Sequence, residues 1–316
     1  MDRRTFIRST AALAAAGAFA VPARAQTPPT IRVISSPSDD LRPLLYAQGA
    51  GLFEKAGVTV VLERANTGAV VAQSVIGGAM DVGKTSLSPL IAAHARGIPF
   101  VLIAPSAIHR RELPNSGLLV TTASTARTAL DLQNKIVSCT AIGDIGYLGL
   151  RAMIDAQGGD SSTVHFVELP TSATAAAVEA GRIDAGLTTE PYMSKDLAAG
   201  KVRILVDMLA GYPRPILESA FFSTRDYVDK NRDTVARFAR AMQQGAVYSN
   251  AHEAETLPLF VTYSGMDAQV ATQMHKTITA TTFDPLQIQP IIDLAAKYKI
   301  IPQRFEAKDM ISVSSR

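Results

Sequence analysis

Gly78-Ala79-Met80-Asp81-Val82-Gly83-Lys84-Thr85-Ser86 satisfies the Gly-x-x-x-x-Gly-Lys-Thr spacing of a loop that cradles phosphates with backbone N–H groups and a lysine. That chemistry requires a buried strand before the first glycine and a helix after the Lys-Thr pair. Here Val70, Val71, Ser74 and Val75 precede Gly78 at helical spacing, so Gly78 reads as a helix stop and Met80-Asp81-Val82 as a short buried strand. The stretch recurs 103 positions on as Gly181-Arg182-Ile183-Asp184-Ala185-Gly186-Leu187-Thr188-Thr189, with the glycines, the aspartate and the paired hydroxyls but without the lysine. A unit repeated without its lysine is a helix stop, a strand and a hydroxyl-bearing tip, and two copies predict two similar lobes. Lys84 is accordingly expected to be a solvated or packing side chain, and the glycines and Asp81 to set the fold.

Other chemistry is scarce. His94, His109, His165, His252 and His275 are widely spaced, with no His-x-x-x-His or Cys-His grouping to hold a metal, and no Gly-x-Ser-x-Gly elbow is present. Cys139 is the sole cysteine, which excludes an internal disulfide and reads as a small core residue at a strand end. No catalytic residue, cofactor or metal site is expected. What remains is a set of polar strand tips, each leading into a helix: Ser36, Ser38 and Asp39; Thr67 and Gly68; Thr85 and Ser86; Thr140, Gly143 and Asp144; Thr188 and Glu190, with Tyr192 just beyond. Helix starts there offer unpaired N–H groups and the positive end of a dipole to an oxyanion, and the hydroxyls add neutral hydrogen bonds. Asp39 and Glu190 offer charge to an amine, Tyr192 and Tyr212 offer a face to a ring, and Asp40 reads as a helix cap. Thr85→Ala and Thr188→Ala are each expected to weaken binding.

These tips need elements to hold them. Strands are expected at Ile31–Ile34, Val58–Leu62, Asp81–Gly83 and Phe100–Ala104, separated by helices that begin near Pro43, Gly68 and Ser86. Such alternation predicts an α/β fold with a mainly parallel sheet, whose ligands bind beyond the carboxyl ends of the strands. A strand-like run at Gly117–Thr122 leads to a second alternating stretch, with strands at Ile136–Cys139, Val164–Val167 and Val202–Val206 and helices reaching about Gln157, Ala180 and Gly200. Ala220–Ser223 is expected to return the chain to the first lobe. From Asp229 onward the pattern is helical, with Val235, Phe238, Ala239, Met242 and Ala246 forming an apolar stripe that pads that lobe. The domain plan is thus residues 1–25 as an export signal, 26–121 as lobe I, 122–215 as lobe II, and 216–316 as a return to lobe I carrying extra C-terminal helices.

The chain has 316 residues, 47% hydrophobic and 19% charged, enough for two cores. Arg3, Arg4 and Arg8 followed by an apolar run from Ala11 to Val21 and by Ala23-Arg24-Ala25 predict an export signal cut after Ala25. The run is about half the roughly 20 residues that cross a bilayer. Arg3-Arg4-Thr5-Phe6-Ile7-Arg8 is similar to a twin-arginine address, an ordinary secretory signal being the alternative. Removing four of the 31 basic and one of the 28 acidic side chains with residues 1–25 leaves 27 of each, so the remainder is formally neutral and nucleic acid is not an expected partner. A monomer is expected.

Pro43-Leu44-Leu45-Tyr46-Ala47-Gln48, Gly51-Leu52-Phe53-Glu54-Lys55-Ala56-Gly57-Val58, the first glycine stretch, Asp131-Leu132-Gln133-Asn134-Lys135 and Ala180-Gly181-Arg182-Ile183-Asp184-Ala185 with Glu190-Pro191 resemble, in that order, the solute-binding proteins of ABC importers. The cluster concerned includes nitrate-, sulfonate- and taurine-binding proteins and binders of thiamine precursors. The resemblance covers essentially everything after the export signal. It implies the type II periplasmic binding protein fold with a hinge of two crossing strands, a small polar organic or oxyanion ligand between the lobes, periplasmic location and delivery to an inner-membrane ABC permease. Two departures stand out. Asn134 replaces a usual glycine, which asparagine's tolerance of the left-handed region allows, and Ser35-Ser36 replaces the commoner glycine-aromatic pair beside the expected pocket. The rival functions are a pyrimidine-synthase-like enzyme on the same fold, which resembles these binders but carries a clustered cysteine motif, and a ligand-binding subunit serving a sensor.

Overall fold

The computed structural model describes residues 27–312 with the exception of Asn66, so the export segment lies outside the described residues. From the first of these the chain alternates as expected: β1 (Thr30–Ser35), α1 (Arg42–Gly49), α2 (Leu52–Lys55), β2 (Thr59–Arg64), α3 (Gly68–Ile76), β3 (Val82–Ser86), α4 (Leu87–Ala95) and β4 (Phe100–Pro105). It then crosses through β5 (Ala107–Ile108) into β6 (Ser116–Thr121) and alternates again through β7 (Ile136–Cys139), α5 (Ile145–Ala156), β8 (His165–Glu168), α6 (Thr171–Glu179), β9 (Ala185–Thr189), α7 (Tyr192–Ala198) and β10 (Val202–Val206). β11 (Ser219–Thr224) brings it back, followed by α8 (Arg225–Lys230), α9 (Arg232–Ala251), α10 (Glu253–Ser264), α11 (Ala268–Gln273), β12 (Ile278–Thr279) and α12 (Pro285–Lys297).

Two five-stranded sheets result, ordered β2-β1-β3-β11-β4 and β10-β6-β9-β7-β8. Reversing the second makes the plan plain: in each, three parallel strands from successive βα units are followed by one contrary strand, β11 or β6, and a last strand that again runs with the majority. The contrary strand in each sheet is the one that arrives from the other lobe. The crossings also pair with each other, through an antiparallel bridge between Ile108 and Leu217 and hydrogen bonds from His109 N to Ile216 O (2.9 Å) and from Glu218 N to Ala107 O (2.8 Å).

The glycine repeat has one structure in both lobes. Gly78 (φ 73°) and Gly181 (φ 66°) end α3 and α6 in the left-handed conformation that suits glycine. Asp81 N then donates to Arg32 O, and its carboxylate accepts from Arg32 N at 2.8 Å; Asp184 N donates to Ile136 O, and its carboxylate accepts from Ile136 N, also at 2.8 Å. Each aspartate therefore clamps the start of the neighbouring parallel strand, which fixes the register of the strand whose far end reaches the other lobe. Asn134 adopts φ 60°, the conformation its replacement of glycine requires.

Apolar side chains follow the layers. Phe53 stacks on Phe238 at 5.6 Å and Phe221 meets the same ring edge-on, joining α2, β11 and α9 in the first lobe. Each of these fully buried rings contributes roughly 2–3 kcal/mol of apolar burial. α9 packs its Val235, Phe238, Met242 and Ala246 stripe toward α1, and α10 lies against α1 as well. α12 behaves differently from simple padding, because it packs on α5 of the second lobe and on α4 of the first, and its Ile288, Ile291 and Ile292 join a core that includes Leu90 and Phe222 on one side and Leu148 and Leu187 on the other. Cys139 is buried among these side chains, and burial pushes its thiol up to about 12. No helix among the described residues is long and apolar enough to cross a membrane.

Candidate ligand-binding cleft

Between the two sheets lie two adjoining cavities of about 240 and 340 Å³, which share Ser86, Ile145, Thr189 and Glu218 as walls and so form one cleft. β1, β3, β7 and β9 end there, while the contrary strands β6 and β11 begin there. The first cavity is polar and is bounded also by Ser38, Asp39, Asp40 and Lys84; the second is more apolar, with Pro89, Leu187 and Leu209 beside Ser116 and Thr140.

Lys84 corrects the expectation of a solvated or packing lysine. β3 continues to Ser86, three residues beyond the end of the expected short strand, so strand alternation puts Val82, Lys84 and Ser86 on one face. Its side chain is 6% exposed, forms an ion pair with Asp40 Oδ1 and donates to Ser38 Oγ at 2.7 Å. Asp40 is likewise no helix cap. Its carboxylate accepts from the hydroxyls of Ser38 (2.6 Å), Ser219 (2.6 Å) and Ser106 (3.1 Å). Burial alone would raise this carboxyl, but the Lys84 charge and those hydroxyl donors outweigh it and hold it below the ordinary range. Asp39 faces Arg42 at 2.7 Å and accepts from Thr277 N at 3.3 Å. Burial nevertheless raises its carboxyl against the pull of Arg42.

The other expected residues separate into cleft and scaffold. Ser38, Asp39, Gly68, Ser86, Thr140, Asp144 and Glu190 line the cavities. Ser36 lies alongside, its carbonyl accepting from Ser35 Oγ and Ser38 Oγ. Thr67 caps α3 by accepting from Val70 N at 3.3 Å. Thr85 is turned toward Gly68, where a Cβ would sit 2.5 Å from Thr85 Oγ1, so the glycine makes room for the hydroxyl. Gly143 has φ 88° and abuts Ile300. Thr188 is fully buried on the face opposite Leu187 and Thr189, and Thr189 is the residue that reaches the cleft. Tyr192 lies 37% exposed at the start of α7, outside both cavity walls. Tyr212 is buried, donating its hydroxyl to Ile145 O at 2.9 Å, and offers no free ring face.

Asp144 caps α5, accepting from Tyr147 N at 2.6 Å, and gathers Thr140 N (3.0 Å), Thr140 Oγ1 and Ala141 N (3.1 Å) on its other oxygen. Asp144→Ala is expected to cost about 1–2 kcal/mol through loss of this cap, measured as a lowered urea midpoint at unchanged slope. Glu190 accepts from Ser194 Oγ (2.7 Å) and from His275 N (3.0 Å), which ties β9 to the segment between α11 and β12 across the cleft mouth.

Polar lining residues outside the expected set include Asn115, Ser116, Glu218, Ser219 and Thr277. Asn115, Ser116, Glu218 and Ser219 sit at the amino ends of contrary strands, which a search restricted to carboxyl ends passes over. Glu218 is partly open to the cavity and receives Asn115 Nδ2 at 3.2 Å. Burial pushes its carboxyl up to about 7, against the opposing influence of His109 and the Asn115 hydrogen bond. Among the described residues no group of three or more His, Cys, Asp or Glu is arranged to hold a metal.

Residues 39–256 match the family described as NMT1/THI5 like. The chain belongs to that family. Within reach of this NMT1/THI5-like chain is a protein of Bacillus subtilis named a putative aliphatic sulfonates-binding protein, 26% identical over 282 residues, which are 86% of this chain and 82% of that one. The taurine-binding periplasmic protein of Escherichia coli is 25% identical over 200 residues, 63% of this chain and 60% of that one. In three dimensions the periplasmic aliphatic sulphonate binding protein SsuA of Escherichia coli superposes with a TM-score of 0.75 at 20% identity, covering 90% of this chain and 97% of its own, and this likeness concerns the fold, the two-lobed type II arrangement of periplasmic binding proteins.

Proposed function

We propose that this NMT1/THI5-like protein is the extracytoplasmic solute-binding component of an ABC-type importer, which captures a small polar organic or oxyanion ligand between its lobes and delivers it to a permease in the inner membrane. The observation that carries the reading is a cleft walled by both sheets at once, with Ser86 and Glu218 from the first and Ile145 and Thr189 from the second. A ligand held there favours the closed arrangement through contacts that an open cleft lacks, and a permease then reads closure. The binding names of its relatives support the same assignment. Export through the residue 1–25 signal with cleavage after Ala25, action as a monomer without nucleic acid, and two lobes close to the expected bounds, with the first crossing moved ahead of β6 (Ser116–Thr121) because that strand pairs within the second sheet, belong to this proposal.

Native mass spectrometry of protein purified from periplasm tests it, with the co-purified molecule as the expected result. Thr189→Ala and Ser86→Ala should then each weaken that ligand's binding about fivefold, the worth of one hydrogen bond of about 1 kcal/mol, while Thr188→Ala, off the cleft, leaves it unchanged. Equal affinity in all three variants would remove the cleft assignment.

A further inference from the structure

The electrostatics of the cleft are unlike those of an anion site. Among the described residues that line the two cavities, Lys84 is the only basic one, against the carboxylates of Asp39, Asp40, Asp144, Glu190 and Glu218. Lys84 is matched to Asp40 and Ser38, and the nearby Arg42, which lies outside the cavity lining, is ion-paired with Asp39 and donates to the Thr277 carbonyl at 3.0 Å, its Nη1 alone lacking a partner. Asp144 and Glu190 already accept several protein donors each.

Glu218 differs from these. Asn115 Nδ2 is the donor that meets its carboxylate, and next to it stand two polar atoms that find no partner in the protein, Asn115 Oδ1 and Ser116 Oγ. Ser116 is only 4% exposed and lines the second cavity together with Glu218, so its hydroxyl is held dry at the wall of the cleft. A buried polar atom left without a partner is costly, and a ligand bearing the matching group recovers that cost. The carboxylate and the amide oxygen accept hydrogen bonds and the hydroxyl can accept one as well, so a single partner rich in donors satisfies all three. Opposite them Ile145, Leu187 and Leu209 supply an apolar surface.

We propose that the cleft takes a small organic cation, a protonated amine or an amidinium, with its N–H groups on Glu218, Asn115 Oδ1 and Ser116 and its apolar body against Ile145, Leu187 and Leu209. This rests on the importer reading and narrows its ligand to a class opposite in charge to a sulfonate. Anion binding here would set a negative group against Glu218 without a free cation to neutralise it, and the desolvated like charges would repel.

The groups facing Glu218 also fix how binding varies with pH. His109 and Asp207 lie behind it, with His109 Nε2 3.0 Å from Asp207 Oδ2, while the Lys84–Asp40 pair, Asp39 and Glu190 share its first cavity and Asp144 its second. With its carboxyl pushed up to about 7, Glu218 is mostly protonated at pH 6 and mostly ionised at pH 8. A cation binds the ionised form, so its affinity rises about tenfold between those pH values, with proton release at pH 6. An anion accepting a hydrogen bond from protonated Glu218 follows the opposite slope.

Isothermal titration of the protein with skeleton-matched pairs reads this directly: butylamine against butanesulfonate, and benzamidine against benzenesulfonate, at pH 6 and pH 8. The expected result is binding of the amine and amidinium members, stronger at pH 8, with Glu218→Gln and Ser116→Ala each weakening it tenfold or more and leaving the circular dichroism spectrum intact. Binding of the sulfonates in preference, or affinity that falls toward pH 8, overturns the cation proposal and leaves the importer reading standing. Absence of binding by every probe overturns it too, and if native mass spectrometry also finds the cleft without a small molecule, the importer reading fails separately. Tenfold effects of Glu218→Gln on cations without a change in the pH slope would show that Glu218 holds the cleft's shape and does not meet the ligand.

Discussion

Replacing Lys84 with methionine is expected to lower the stability of the ligand-free protein by about 3–5 kcal/mol, the usual consequence of stranding one member of a buried ion pair. Both side chains are more than nine-tenths buried, and methionine matches the length of lysine, so the loss comes from charge and not from a hole. Asp40 keeps its three serine hydroxyls, but with the ammonium gone burial dominates and its carboxyl moves up. The pH dependence follows from the sign of the change. In the parent, Asp40 is held below its ordinary value, so its contribution is present above the unfolded value near 3.8 and disappears as pH falls through the folded one. In Lys84→Met that contribution is absent, and the two proteins should therefore differ most at neutral pH and converge toward pH 3. Urea denaturation across pH 3 to 8 measures this. A second variant, Lys84→Met with Asp40→Asn, should recover a large part of the loss, since a neutral amide stays hydrogen-bonded to the same hydroxyls, its oxygen accepting on one side and its NH2 donating on the other. Unaltered stability in the single variant would contradict the burial of the pair.

Gly211→Ala is expected to cost about 3 kcal/mol, at the upper end for forcing an extra methyl into a packed site. Gly211 closes the short turn Met208–Gly211 on the second crossing, and a Cβ there would collide with the carbonyl of Gly149 in α5. Gly149 in turn faces the Met208 carbonyl, with Tyr212 Cε2 3.0 Å from where its own Cβ would lie. The approach is backbone to backbone, so no change of rotamer relieves it and helix and turn must separate. Gly49→Ala serves as the contrast: nothing lies within 4 Å of the added methyl and no left-handed φ is required, so it should be neutral or stabilising by up to about 1 kcal/mol. Thermal unfolding of both variants beside the parent decides the matter, and a Gly211→Ala midpoint equal to that of Gly49→Ala would refute the close contact.

The lobes were readable because the features that define them are local. Ile136–Cys139 and Val202–Val206 are strands over the very residues their apolar runs mark, and the repeated glycine and aspartate do the same work twice, ending a helix and clamping the neighbouring strand. The cleft was half readable for a topological reason. Carboxyl ends of parallel strands are visible in sequence as tips before helices, and Ser38, Ser86 and Thr140 follow that rule onto the cavity walls. Glu218 and Asn115 stand immediately before strands that come from the other lobe and run the opposite way, and nothing in a local pattern tells which end of such a strand meets the ligand. Lys84 and Thr188 turn on a parity of one residue: side chains alternate, so a strand that runs three residues past its expected end carries Lys84 inward, and Thr188 faces away while its neighbour Thr189 faces in. Partners distant in sequence, such as Asp40 with Ser219, are set by tertiary folding alone.

The seat of α12 across both lobes makes it a bearing. The two paired crossings are where the sheets join, and Leu217 N on one of them donates to Gln287 O at the start of α12, which places the helix beside that joint. Turning one sheet against the other must slide α5 or α4 over the Ile288, Ile291 and Ile292 surface. Apolar ridges can slide a short way without breaking hydrogen bonds, the way packed helices shear. The resting angle of the jaw is therefore set in part by side-chain shape on a helix that the ligand never meets. Because apparent affinity scales with the fraction of molecules already in the competent arrangement, trimming Ile291 to valine would retune capture from behind the hinge, with every cleft residue unchanged.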